Sequence, residues 1–144
     1  FRMKEQIING PNLNLLGSRE TNIYGTETLT DIENWFFEKI DSKKHEVNWF
    51  QSNHEGEIID KIHLCIEKYN SVIINPGAYT HYSYAIRDAI ASTNIPTVEV
   101  HLTDIYKREK FREKSVIKEV CISQVIGKGK RGYLEAFNIL VDYL

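Results

Sequence analysis

Ser71-Val-Ile-Ile-Asn-Pro-Gly77 is the stretch that decides the fold. Ser71 to Asn75 is a nearly all-apolar run, which predicts a strand buried on both faces, and Pro76-Gly77 ends it. Downstream, Tyr82, Ala85, Ile86, Ala89 and Ile90 predict a helix, and Thr97 to His101 another strand. Upstream, Glu55 to Tyr69 reads as a helix with Ile58, Ile59, Ile62, Ile66 and Tyr69 on its buried stripe. Glu55 and Glu57 are acidic residues suited to its N-terminus. Further out, Glu46 to Gln51 alternates like a strand. Thr28 to Ile40 reads as a helix with Leu29, Ile32, Phe36 and Ile40 on one face and Thr30-x-x-Glu33 as its capping box. Glu5 to Asn9 is a short strand broken by Gly10-Pro11. At the other end, Cys121 to Ile126 is strand-like, and Leu134, Phe137, Leu140 and Val141 mark a closing helix.

Strands separated by helices mean βαβ units. With about five parallel strands in 144 residues, the expectation is an α/β, flavodoxin-like doubly wound sheet with helices on both faces. The whole chain, 1–144, reads as one catalytic domain, with Met3 as the natural start and Phe1 and Arg2 as residues left by expression. The chain is 42% hydrophobic and 26% charged, with a formal net charge of −2. That balance gives no sign of nucleic-acid binding. The basic stretches Lys107 to Lys114 and Lys128 to Arg131 read as solvated faces or local anion sites. No segment is long and apolar enough to span a bilayer and no signal-peptide pattern is seen, so the cytoplasm is the default location. Cys65 and Cys121 lack ligand-like spacing and read as buried reduced thiols.

In a doubly wound sheet, ligands bind beyond the carboxyl ends of the strands. Chemistry-bearing residues gather there. Asn12 and Asn14 follow the first strand, and Asn75, Gly77 and His81 follow the third. Glu99 and His101 close the fourth, with Thr103, Arg108 and Arg112 after them. The connection 10–26 is long and structureless enough for an active-site lid, with Gly17 and Gly25 as hinges and Arg19 and Tyr24 between them. A phenol with a pKa near 10 becomes a base only where a cation favours the phenolate, and Arg19, Arg108 or Arg112 could supply one. The residues alone leave two readings open: Tyr24 as a catalytic phenol, or as an aromatic packing the loop onto the domain. Glu99 and His101 share a strand face, so the carboxylate can hold the histidine for acid–base work, or His101 is a structural strand-end histidine. His81 could donate to a bound hydroxyl or cap the next helix, while His45, His54 and His63 read as structural. Gly127-Lys-Gly-Lys-Arg-Gly132 matches G-x-G-x-x-G, but no strand follows to carry the ribose-binding acid, so it reads as a tight turn. No metal motif, P-loop or nucleophile elbow is present.

Several blocks together resemble the type II 3-dehydroquinate dehydratases: Gly10-Pro-Asn-Leu-Asn-Leu-Leu-Gly17 with Arg19 and Tyr24-Gly25; Asn75-Pro-Gly-Ala-Tyr-Thr-His81 with Ala85-Ile-Arg-Asp88; Glu99-Val-His-Leu-Thr103 with Arg108-Glu109 and Phe111-Arg112; and Gly132-Tyr133. The resemblance spans nearly the whole chain. It implies a flavodoxin-like lyase that converts 3-dehydroquinate to 3-dehydroshikimate, in the shikimate pathway or in quinate breakdown, without metal, cofactor or Schiff base. It also implies roles. Tyr24 is the base and Arg19 stabilises its phenolate. Asn12 acts on the enolate through a water. His101 is the general acid, oriented by Glu99. Asn75, His81 and Arg112 hold hydroxyls, and Leu102 and Thr103 hold the carboxylate. Asp88 reaches a neighbouring subunit's substrate in trimers assembled into a dodecamer. The departures are Thr103 for serine, Asp104 for asparagine, Lys110 for proline and Lys128 for an apolar residue. Asp104 should cost affinity unless Lys107 or Arg108 neutralises it, and Lys110 should loosen its segment. The competing reading is a non-catalytic flavodoxin-like module that binds a small anionic ligand.

Overall fold

The computed structural model describes residues 1–144. Five parallel strands, β1 (Lys4–Asn9), β2 (Glu46–Gln51), β3 (Ser71–Asn75), β4 (Thr97–His101) and β5 (Ser123–Ile126), form one sheet in the order β2-β1-β3-β4-β5. This is the flavodoxin-like order, with its switch point between β1 and β3. β3 and β4 are buried along their whole length; the nearly all-apolar β3 is what such a central strand requires, whereas β4 buries Thr97, Glu99 and His101 as well.

The helices are α1 (Thr21–Tyr24), α2 (Leu29–Lys39), α3 (Glu55–Lys68), α4 (Tyr84–Thr93) and α5 (Arg131–Tyr143). Side chains alternate across each strand, so the sheet supports two cores. On one face Ile7, Ile73, Val98, Val100 and Val125 meet Ile32 and Phe36 of α2 and Tyr133, Phe137 and Leu140 of α5. On the other, Ile8, Val72 and Ile74 meet Ile58, Ile62 and Cys65 of α3 and Ile86, Ala89 and Ile90 of α4.

Several sequence expectations need correction. The stretch 10–26 is not structureless: it holds a 3-10 turn over Leu13–Leu15 and the short helix α1. The capping box of α2 is Thr28 with Asp31, one turn-start earlier than Thr30 with Glu33; Thr28 Oγ1 accepts from Asp31 N–H and the Asp31 carboxylate from Thr28 N–H. Ile66 is 59% exposed on the outer face of α3, because Cys65 takes the inward position. Tyr82 precedes α4 and Ala85 faces solvent. Cys121 lies just before β5, after a 3-10 turn over Lys118–Val120. Both cysteines are free, and burial pushes the Cys65 thiol up to about 12. No helix is long and apolar enough to cross a membrane.

At the switch point the turns after β1 and β3 touch. A Cβ on Gly10 would lie 2.5 Å from the Pro76 carbonyl oxygen, and Gly10 N–H donates to the Asn75 carbonyl at 2.7 Å. Only a residue without a side chain lets the two strand ends approach this closely.

Candidate active site

A cleft opens beyond the carboxyl ends of β1, β3 and β4. Of the residues singled out in the sequence, Asn12, Arg19, Tyr24, Asn75, His81, His101, Leu102, Thr103, Arg108 and Arg112 line it. Glu99 lies fully buried behind His101, and Asp88 is exposed on α4, outside the cleft.

Tyr24 ends α1, in the segment framed by Gly17 and Gly25, both at positive φ (94° and 82°). Its hydroxyl accepts hydrogen bonds from Arg108 at 2.8 Å and Arg19 at 3.2 Å, while both guanidiniums also lie over its ring, at 5.1 and 4.2 Å. Two cations aimed at one oxygen stabilise negative charge on it. Arg108 stood in the sequence only as a supporting cation, yet it makes the shorter contact. It also donates to Thr103 Oγ1 at 3.4 Å.

His101 closes β4, two residues from Glu99 on the same strand face. Its Nε2–H donates to Glu99 Oε2 at 2.6 Å, so Nδ1 is the ring nitrogen left for a ligand. Burial pushes the Glu99 carboxyl up, but the hydrogen bond and charge of His101 and hydrogen bonds from Thr80 and Ser115 outweigh it. The net direction is down, and Glu99 stays ionised. Thr80 Oγ1 donates at 2.5 Å, Ser115 Oγ reaches both carboxylate oxygens at 2.9 Å, and Gln124 Nε2 donates to Oε1 at 3.0 Å. Sequence reading missed these three donors. Gln124 carried a usable signal: it is a polar residue on the inward-facing register of β5, directly opposite Glu99. Thr80 and Ser115 stand in turns, where periodicity says nothing about burial.

His81 is not a helix cap; Ser83 Oγ caps α4 by accepting from Ile86 N–H. His81 Nδ1 donates to the Lys114 carbonyl at 2.7 Å. Burial lowers its pKa, aided by the charges of His101 and Arg112 and opposed by that hydrogen bond and by Glu99. The ring is therefore neutral with its lone pair on Nε2, so it accepts a ligand's proton instead of donating one. Asn75 is held from below: its Nδ2 donates to Tyr133 Oη at 3.2 Å, Tyr133 Oη donates to Asn9 Oδ1 at 2.5 Å, and Asn75 Oδ1 accepts from Gly77 N–H at 3.2 Å. One amide hydrogen of Asn75 remains for a ligand. Arg112 is braced by Glu109, to which Nε donates at 2.6 Å. Asn12 sits at φ 70°, and its N–H donates to Asn53 Oδ1 at 3.0 Å.

The departures are accommodated. Asp104 accepts from Tyr106 N–H at 3.1 Å and faces Lys107 at 3.8 Å. Lys128 pairs with Glu135 at 2.7 Å on the surface. Lys110 opens a 3-10 turn, Lys110–Glu113, that carries Phe111 and Arg112.

The arrangement brings an oxygen buttressed by two cations and an imidazole backed by a carboxylate into the lining of one polar cleft. It suits removal of one proton and delivery of another. Comparison with known proteins agrees with that chemistry. The family described as dehydroquinase class II matches residues 3–141. A 3-dehydroquinate dehydratase of Caldicellulosiruptor bescii is 55% identical over 142 residues, covering 98% of each chain. That of Bacillus subtilis is 50% identical over 136 residues, covering 94% of this chain and 92% of its own. The crystal structure of a type II dehydroquinase from Butyrivibrio crossotus superposes with a TM-score of 0.94 at 51% identity, covering 97% of this chain and 98% of that one. A Propionibacterium acnes type II dehydroquinase gives 0.91 at 35% identity, covering 99% of both.

Proposed function

The chain belongs to the class II dehydroquinase family, and from that premise we propose that it dehydrates 3-dehydroquinate to 3-dehydroshikimate, with Tyr24 as base and His101 as acid. The observation that carries the reading is the convergence of Arg19 and Arg108 on the Tyr24 hydroxyl, in the same cleft as a His101–Glu99 pair. A non-catalytic binder of anions has no need of that pairing.

Tyr24, as phenolate, takes the proton α to the ketone, and the electron pair of the broken C–H bond becomes the enolate. Asn12 stabilises the enolate oxygen through a bridging water. The enolate then reforms the ketone and expels the β-hydroxyl. His101, protonated on both nitrogens, gives its Nδ1 proton to that leaving oxygen, and water departs. Glu99 holds Nε2–H throughout and stabilises the imidazolium. Tyr24 ends with one proton more and His101 with one fewer, and exchange with solvent resets both. Asn75 and Arg112 donate to ring hydroxyls and His81 accepts from one. Leu102 and Thr103 hold the carboxylate.

Residues 1–144 act as one catalytic domain, with 10–26 as its lid. The enzyme works in the cytoplasm as trimers assembled into a dodecamer, in which Asp88 reaches the substrate of a neighbouring subunit. Light scattering tests the assembly: a monomer would leave Asp88 without that role. For the reaction, incubation with 3-dehydroquinate should raise ultraviolet absorbance as the conjugated enone forms. Tyr24→Phe should abolish the rise while leaving the thermal unfolding midpoint in place. An inactive wild-type protein, or an active Tyr24→Phe variant, would reject the assignment.

A further inference from the structure

Glu99 works on His101 only while its carboxylate is charged and turned the right way. Three donors besides His101 surround it, and one of them leads out of the site. Gln124 Nε2 donates to Glu99 Oε1 at 3.0 Å, and Gln124 Oε1 accepts from the Tyr106 hydroxyl at 2.9 Å. A primary amide has two ends of opposite polarity. Glu99, which only accepts, fixes the N–H end on itself, and Tyr106 donates to the remaining oxygen end and holds the amide there. If the amide were reversed, its oxygen would face a carboxylate. Tyr106 lies in the 3-10 turn Ile105–Lys107, whose start is capped by Asp104 and whose flanks carry Thr103 and Arg108. The chain Tyr106–Gln124–Glu99–His101 therefore links the turn beside the base-supporting arginine to the acid.

We propose that Gln124 is a positioning residue for the Glu99–His101 acid pair, and that Tyr106 holds its amide in place by donating to the oxygen end. The inference rests on the reading of His101 as general acid. Gln124 is opposite Glu99 in the β4–β5 register, so backbone pairing delivers the contact without a mobile arm. The titratable groups that face Glu99 are His101 on its own strand, His81 beyond β3, and Cys121 before β5, while the Lys118 ammonium stands 5.9 Å over the Tyr106 ring.

The test is steady-state turnover of 3-dehydroquinate over a pH series for Gln124→Leu, Gln124→Glu and Tyr106→Phe, with unfolding midpoints alongside. Gln124→Leu removes one hydrogen bond to a buried charge, so kcat should fall about ten- to hundredfold while KM changes less than about twofold. Gln124→Glu carries the sharper signature. At low pH its carboxyl is protonated and can still donate to Glu99; at high pH two carboxylates face each other. Its activity relative to wild type should therefore decline steeply as pH rises, which a purely space-filling role would not produce. Tyr106→Phe should lower kcat in the wild-type background and add nothing to Gln124→Leu; additive losses would overturn the part given to Tyr106. Should Gln124→Leu fail to fold, the Gln124→Glu profile decides. Glu99→Gln separates the two levels. If it keeps wild-type kcat, the acid-pair reading falls. If it is impaired while Gln124→Leu and Gln124→Glu keep wild-type kcat and pH profile, only the present inference falls.

Discussion

Replacing Arg108 with methionine removes the shorter of the two hydrogen bonds that reach the Tyr24 hydroxyl, 2.8 Å against 3.2 Å from Arg19. Methionine keeps most of the side-chain length, so the loss is chiefly one of charge and donors. A hydrogen bond from a cation to a charged acceptor contributes roughly 1.5–3 kcal/mol. At 1.36 kcal/mol per decade of rate, kcat at neutral pH should fall about 10- to 150-fold. Arg19 should matter less. It shares its charge with Glu20 at 3.7 Å, whereas Arg108 makes no ion pair with a carboxylate. The same absorbance assay measures both variants across a pH series. KM should also increase if Thr103 holds the substrate carboxylate as proposed, since Arg108 donates to Thr103. A kcat within about threefold of wild type would refute the reasoning.

Tyr133→Phe should cost about 1–3 kcal/mol in denaturant unfolding and raise KM, because it strips a buried acceptor from Asn75 and a buried donor from Asn9. Wild-type stability with wild-type KM would contradict this. Gly10→Ala should destabilise the fold by about 2–4 kcal/mol, since its methyl would meet the Pro76 carbonyl at 2.5 Å; an unchanged unfolding midpoint would show that the two turns part at no cost. Burial pushes the Glu5 carboxyl up to about 8, opposed only by the Ser71 hydrogen bond. The folded chain thus holds this proton more tightly than the unfolded one, so Glu5's contribution is complete at about pH 4 and is lost as the pH rises through 8. Glu5→Gln should therefore flatten the fall of the unfolding midpoint between about pH 4 and pH 8, and equal slopes in that window would exclude that cause.

The sheet was legible because its strands are short apolar runs closed by breakers. Ser71–Asn75 and Thr97–His101 fall where the sequence reading put them. Helix surfaces were harder to read. Ile66 looked inward by hydropathy, yet Cys65 occupies that angle on α3 and Ile66 faces out. The short helix within 10–26 was hidden because Thr21–Tyr24 is too brief for a periodic pattern. In the site, residue type located Tyr24, His101 and the arginines, and strand alternation paired Glu99 with His101. What sequence cannot encode locally is polarity of contact. That Arg108 is nearer than Arg19, and that His81 accepts, depends on Lys114 and Thr103 arriving from other turns.

The main-chain carbonyl that occupies His81 Nδ1 has a consequence for ligand chemistry. Because Nε2 is left as a lone pair, this wall of the cleft discriminates by what a ring substituent can give away. A hydroxyl or an ammonium satisfies it. A methyl ether or a fluorine of nearly the same size sets an acceptor against an acceptor and should bind worse than the compound with that substituent deleted. Inhibitors built on the substrate ring therefore gain at this position from added protons, and lose from the fluorination commonly used to block metabolism.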